Sequence, residues 1–208
     1  MSDKPSAGEP TSAPGWDAID AACSALYGAQ QPTHVGYWPP RLLSANLQGC
    51  SAYAALDHWH YVTYGLSELY IPERNDDSEY SGWGFELTMR VVREPAEPSP
   101  PAWPFTILNE VANYVNTRSV ILAPGRRINF RVAVTGHPRV GDAPPTQLTA
   151  FAIALDPQLG RIETPSGRVE FLQLVGITGA ELDEMGSTST RAVLARRQAG
   201  DPLMVLRP

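Results

Sequence analysis

No apolar run in this 208-residue chain approaches the roughly 18 residues that a membrane-spanning helix needs, so a membrane role is not expected. Lysine is nearly missing: fifteen of the sixteen cations are arginine, and Lys4 is the exception. With twenty-two acids against them, the net charge is −6, which argues against the basic face that nucleic-acid binding requires. Cysteine is scarce. Cys23 and Cys50 stand 27 positions apart and form no CxxC, so a zinc ribbon or a redox dithiol is excluded and two reduced, partly buried thiols are expected. Residues 1–15 carry Lys4 and three prolines but no apolar segment, which predicts a disordered tail instead of a signal peptide and a cytoplasmic location. There is no GxGxxG after a strand, no GxxxxGK[ST] loop and no GxSxG elbow, so the common nucleotide and hydrolase signatures are absent. The skew toward arginine, alanine and proline fits a bacterial genome rich in G and C.

What is present is 43% apolar composition, enough for a core, in a length that favours one domain, assigned to residues 16–208. Twenty prolines and seventeen glycines exclude long helices and predict strands joined by turns. Trp16, Ile19, Cys23, Leu26 and Tyr27 recur at helical spacing before Gly28, predicting a short amphipathic helix. Residues 34–38 and 41–48 read as irregular strands around Pro39 and Pro40, and 58–65 as a strand rich in aromatic and β-branched residues. Residues 72–82 read as an exposed acidic loop. From Gly84 to Val92 the pattern alternates: Phe85, Leu87, Met89 and Val91 face one way, Glu86, Thr88 and Arg90 the other, as in a half-buried strand. Pro104 opens a helix whose apolar face holds Ile107, Leu108, Val111, Tyr114 and Val115. Strands are expected at 128–134 and 148–155, a hairpin at 161–175, a capping box at Thr178–Glu181, a helix through 191–197 and a last strand at 203–206. Strands and helices do not alternate strictly, so the fold class is α+β: one mixed, largely antiparallel sheet packed with a few short helices.

Chemistry is harder to find. His58 and His60, at i and i+2 of a strand, point to one face, as a metal pair must; His34, Asp57 or Glu86 would supply a third ligand. That pattern supports a metal-dependent enzyme as the alternative reading, against two histidines hydrogen-bonded within the sheet. Asp76, Asp77 and Glu79 lack the spacing and glycine of a calcium loop. Glu68 and Glu86 are one of many chance carboxylate pairs, and Trp59, Trp83 and Trp103 read as packing. No catalytic residue, metal ligand or cofactor is assigned.

Four ordered segments carry a resemblance: His58–Tyr70 (HWHYVTYGLSELY), Ser81–Arg90 (SGWGFELTMR), Pro100–Pro104 (PPAWP) leading to Ala112–Val115 (ANYV), and Thr164–Gly176 (TPSGRVEFLQLVG). Together they resemble the Suppressor-of-fused family, in its amino-terminal domain, from Trp16 onward. The resemblance implies a protein-binding domain and not an enzyme. Animal members are cytoplasmic negative regulators that grip a transcription factor, taking an extended peptide between two domains. Single-domain bacterial members are read as immunity proteins that neutralise a cognate toxin by direct binding, and an acidic surface suits masking a basic one. The resemblance also marks two protein-binding positions. Tyr114 matches a peptide-contacting tyrosine, and Arg126, twelve positions on and after Gly125, falls where animal members place an aspartate. The reversed charge implies a different ligand.

Overall fold

The computed structural model describes residues 12–39, 44–70, 79–95 and 97–208. In chain order it runs α1 (Pro14–Tyr27), β1 (Thr33–Gly36), β2 (Gly49–Ala54), β3 (His58–Tyr64), β4 (Tyr80–Val92), α2 (Trp103–Arg118) and β5 (Arg127–Asn129). Then come β6 (Leu148–Leu155), β7 (Arg161–Thr164), β8 (Gly167–Thr178), α3 (Gly179–Ser187) and α4 (Thr190–Gly200). The strands form one open mixed sheet in the order β1-β2-β3-β4-β8-β6-β5, with β7 hairpinned onto β8. All pairings are antiparallel except β4 with β8, which joins the two antiparallel halves. The α+β class expected from the unordered mix of elements is what forms.

Alternation along β4 divides the interior. Phe85, Leu87, Met89 and Val91 enter the main core with Trp59, Tyr61, Phe151 and Ile153, and α2 covers them with Trp103, Ile107, Leu108, Val111 and Val115. α1 covers part of the other face, placing Ile19 and Cys23 against Tyr53, Val62, Tyr64 and Phe171, while Met185 of α3 and Val193 of α4 cover Ala150, Ala152 and Ile177. Cys50 lies on the α2 side and Cys23 on the α1 side, so the sheet itself keeps the two buried thiols apart. Burial pushes the Cys23 thiol up to about 12, which keeps it protonated and unreactive.

Helix starts follow local chemistry. Pro14 sits in the first turn of α1, two residues before the expected boundary, while residues 1–11 of the expected tail lie outside the described residues. Gly15 donates its amide to the Leu69 carbonyl at 3.0 Å, and a Cβ there would stand 2.1 Å from the Glu68 carbonyl oxygen, so only glycine allows this approach. Asp142 accepts from the Ala102 and Trp103 amides at 2.6 and 3.2 Å, capping α2 from a distant loop. Thr178 and Glu181 form the reciprocal capping box at α3.

Five expectations are corrected. β4 is buried on both faces, not half-buried, because the 65–67 backbone, the Asp156 turn and Gln173 take up its polar side chains. β4 also starts at Tyr80, inside the expected acidic loop, of which residues 71–78, with Asp76 and Asp77, lie outside the described residues. The strand expected at 128–134 ends at Asn129: its side-chain oxygen accepts from the Arg131 amide at 2.9 Å, and Arg131 takes a positive φ of 59°, which turns the chain. The last strand reduces to one parallel bridge from Leu206 to Val91. Of the irregular strand expected at 41–48, residues 44–48 form none, 41–43 lie outside the described residues, and β2 begins at Gly49.

Candidate functional site

The polar face of β3, β4 and β8 forms a buried stripe. Asp156, in the turn between β6 and β7, accepts six hydrogen bonds: from His60, Thr88, two nitrogens of Arg90, and the amides of Gln158 and Leu159. Arg90 also donates to Gln158 and Gln173, and Gln173 holds the carbonyls of Leu203 and Met204, so the network clamps the C-terminal segment over the stripe. His60, Arg90 and Asp156 are almost fully excluded from solvent, which is tolerable because each charge is paired. Burial alone would raise the Asp156 carboxyl, but the His60 N–H and the Arg90 guanidinium overcome it and hold it well below the usual carboxylate range.

His60 cannot serve as a ligand in this arrangement. An ionised Asp156 makes Nε2 the donor, at 3.2 Å, so Nδ1 is left to accept from the Tyr27 hydroxyl at 2.7 Å. Both nitrogens are used. Burial, then the neighbouring Arg90 charge, pushes the ring down to about 4, so it is neutral at physiological pH. His58 shares the face as alternation requires, but it donates to Asp57 at 2.8 Å and is not joined by a third ligand. Glu86 is equally committed: it accepts from the Thr63 hydroxyl, the amides of Gly65, Leu66 and Ser67, and the Ser67 hydroxyl. Among the described residues no three His, Cys, Asp or Glu side chains gather as a metal site would demand. Glu68 lies outside the Glu86 clasp, its carboxylate accepting from the Tyr70 amide at 3.3 Å. The motif residues are therefore joints of the sheet: the HWHYVTYGLSEL and GFELTMR segments meet at Glu86, and His60 and Arg90 meet at Asp156.

Tyr114 and Arg126 are placed elsewhere and come together. Tyr114 leaves the core expected for its helix face and is 44% exposed near the end of α2, while Arg126 is exposed in the turn before β5. Both line a cleft of about 750 Å³ between the end of α2, the segment 119–122 and β5. Its walls add Glu110, Ile121, Arg127 and Phe130, of which Ile121 is 65% exposed. Asn109, Asn113 and Asn116 anchor α2 to the 44–47 loop, so one wall is held rigidly. β5 pairs with β6 and ends the sheet, leaving the other wall a strand edge. Sequence reasoning named Tyr114 and Arg126 but missed Ile121, Arg127 and Phe130. The alternation at 128–134 read Phe130 as one more inward strand residue, and no local pattern marks Ile121 or Arg127 as exposed beside it.

A Suppressor-of-fused domain, a class whose animal members bind partner proteins, is what this sheet, its helices and its motif joints define. The family model described as Suppressor of fused protein (SUFU) matches residues 42–208, and the chain belongs to that family. The human and mouse Suppressor of fused homologs are each 32% identical over 142 residues, which is 66% of this chain and 28% of theirs. A chain of the Sufu–Fu complex crystal structure superposes with a TM-score of 0.84 at 29% identity, covering 95% of this chain and 91% of that one. Drosophila Suppressor of Fused gives 0.83 at 29% identity, with 97% of this chain but 52% of the fly chain covered. A homologue from Neisseria gonorrhoeae, at 14% identity and a TM-score of 0.55, shares the fold. This chain thus spans little more than a quarter of the human protein and about half of the fly one.

Proposed function

We propose that this chain is a non-enzymatic, cofactor-free protein-binding domain that sequesters or neutralises a partner protein through the cleft between α2 and β5. The observation that carries the reading is that Tyr114 and Arg126, marked by the family resemblance, line one exposed cleft at the end of the sheet. Tyrosine and arginine are the residue types that dominate interface energetics, since each offers large contact area with a polar tip. An extended segment laid along β5 would continue the sheet through main-chain hydrogen bonds while its side chains enter the cleft. The Sufu–Fu complex supports partner binding as the activity of such a domain. The setting we favour is bacterial immunity: binding of a toxin encoded beside this chain, in the cytoplasm, where a toxin must be masked before export.

Co-expression tests it. A strain producing the toxic product of the adjacent gene should be rescued by this chain and not by its Arg126→Asp variant. Death in the presence of the soluble wild-type chain would end the immunity role. Rescue by Arg126→Asp equal to wild type would instead move the binding surface away from the cleft.

A further inference from the structure

The chain is acidic, with sixteen cations against twenty-two acids, yet its cleft is not. Arg126 and Arg127 stand side by side in the lining with Glu110 as the one acid. Six arginines pair with carboxylates: Arg90 with Asp156, Arg161 with Glu170, Arg168 with Glu163 and Glu79, Arg196 with Glu184, Arg197 with Glu181 and Arg207 with Asp201. Among the described residues Arg93, Arg118, Arg131, Arg139 and Arg191 are in no such pair. Among the described residues neither Arg126 nor Arg127 has such a partner; Arg127 reaches only the Leu182 carbonyl, at 3.5 Å. In a protein with surplus carboxylates, two adjacent arginines without counter-ions, Arg126 on the side of half-buried Phe130 and Arg127 across the strand, form with exposed Ile121 a surface complementary to apolar and acidic groups together.

Strand geometry sharpens the pattern. The Arg126 carbonyl accepts from the Ile153 amide and the Phe130 amide donates to the Thr149 carbonyl, so extended backbone runs through 126–130. Alternation then puts Arg126 on the side of Ile128 and Phe130, which pack toward α2, and Arg127 on the opposite side, toward α3. A strand added to the edge of β5 presents its side chains to the same two sides in turn.

We infer that the partner segment taken by this cleft is an extended one that alternates apolar residues with carboxylates, one carboxylate meeting Arg126 beside the apolar pocket and another meeting Arg127 across the strand. The inference rests on the cleft being the partner site. Because the two arginines project to opposite sides, the two acids of the segment are separated by an odd number of positions, i and i+1 or i and i+3. The whole chain's negative charge acts on the encounter at long range; the two arginines act on register at contact.

A displayed library of random twelve-residue peptides, panned on the full chain at low salt, tests this. The expected result is enrichment of peptides with apolar residues and two acids at odd separation. Their binding should fall about tenfold or more with Arg126→Glu or Arg127→Glu and severalfold between low and high salt, as charge pairs at a partly exposed site do. Enriched peptides that are neutral or basic, indifferent to both arginine variants but lost with Tyr114→Ala, would overturn the acidic preference and keep the cleft. Peptides indifferent to Tyr114→Ala as well, or no enrichment by a folded chain, would overturn both readings. Circular-dichroism melts of each variant confirm that the fold is intact.

Discussion

At the scale of single residues, His60 links the interior to pH. Its ring stays neutral in the folded chain down to about pH 4, whereas in the unfolded chain it takes a proton near the ordinary value of about 6.5. Between those values the unfolded state binds more protons, so stability rises with pH across that window and is lost as pH falls through it. The loss assigned to His60 is roughly 3 kcal/mol, and burial lowers His58 and His34 in the same direction. Asp156, held below its ordinary range, adds a further loss only below about pH 4. Urea unfolding between pH 4.5 and 7.5 should therefore show a rising stability whose slope is shallower in His60→Gln; identical slopes would contradict the neutral, Asp156-bound ring. Replacing Asp156 by Ala removes the partner of a buried guanidinium and should cost about 3–5 kcal/mol in the same assay. Residues of this kind were legible in type but not in role. The HxH spacing correctly put both histidines on one face, but Asp156, which decides what His60 does, lies 96 positions away and has no local signature.

At the scale of elements, periodicity performed well where one face meets hydrocarbon. Phe85, Leu87, Met89 and Val91 are all buried as the alternation requires, and Phe85→Ala should cost about 3–5 kcal/mol through lost transfer energy and a cavity. A thermal melt indistinguishable from the parent would put that face on the wrong side. The same alternation misled for the polar face, because it records side-chain chemistry and not what covers it: a polar residue reads as exposed even when a carboxylate 66 positions on neutralises it, as Asp156 does Arg90. β2 escaped notice because its sequence, GCSAYA, lacks the branched residues that signal a strand, and it is held by burial between β1 and β3. Capping was the most legible element feature, since Thr178 and Glu181 satisfy the helix start within four residues. Gly15→Ala tests a tertiary joint that no local rule indicates: the added methyl must displace the Glu68 carbonyl, so destabilisation of about 1–3 kcal/mol is expected in chemical unfolding.

At the scale of the whole molecule, the sheet separates two tasks. Its centre uses the family's motif residues to lock β3, β4 and β8 to the α1 helix and the C-terminal segment, and its β5 end leaves a cleft whose exposed residues take no part in that lock. Variants at the two places should therefore behave differently: Asp156→Ala lowers the melting temperature, whereas Arg126→Asp leaves it nearly unchanged and weakens the partner by a few kcal/mol. The candidate site was legible from the sequence only through family resemblance, because a cleft built from the end of a helix, a turn and a three-residue strand has no periodicity of its own. The most direct measurement is amide hydrogen exchange on the chain alone and saturated with a partner protein identified by the co-expression test. Protection confined to residues 119–130 and the end of α2 is the predicted footprint, and unchanged exchange there with protection at β1 or at α3 and α4 would contradict the account.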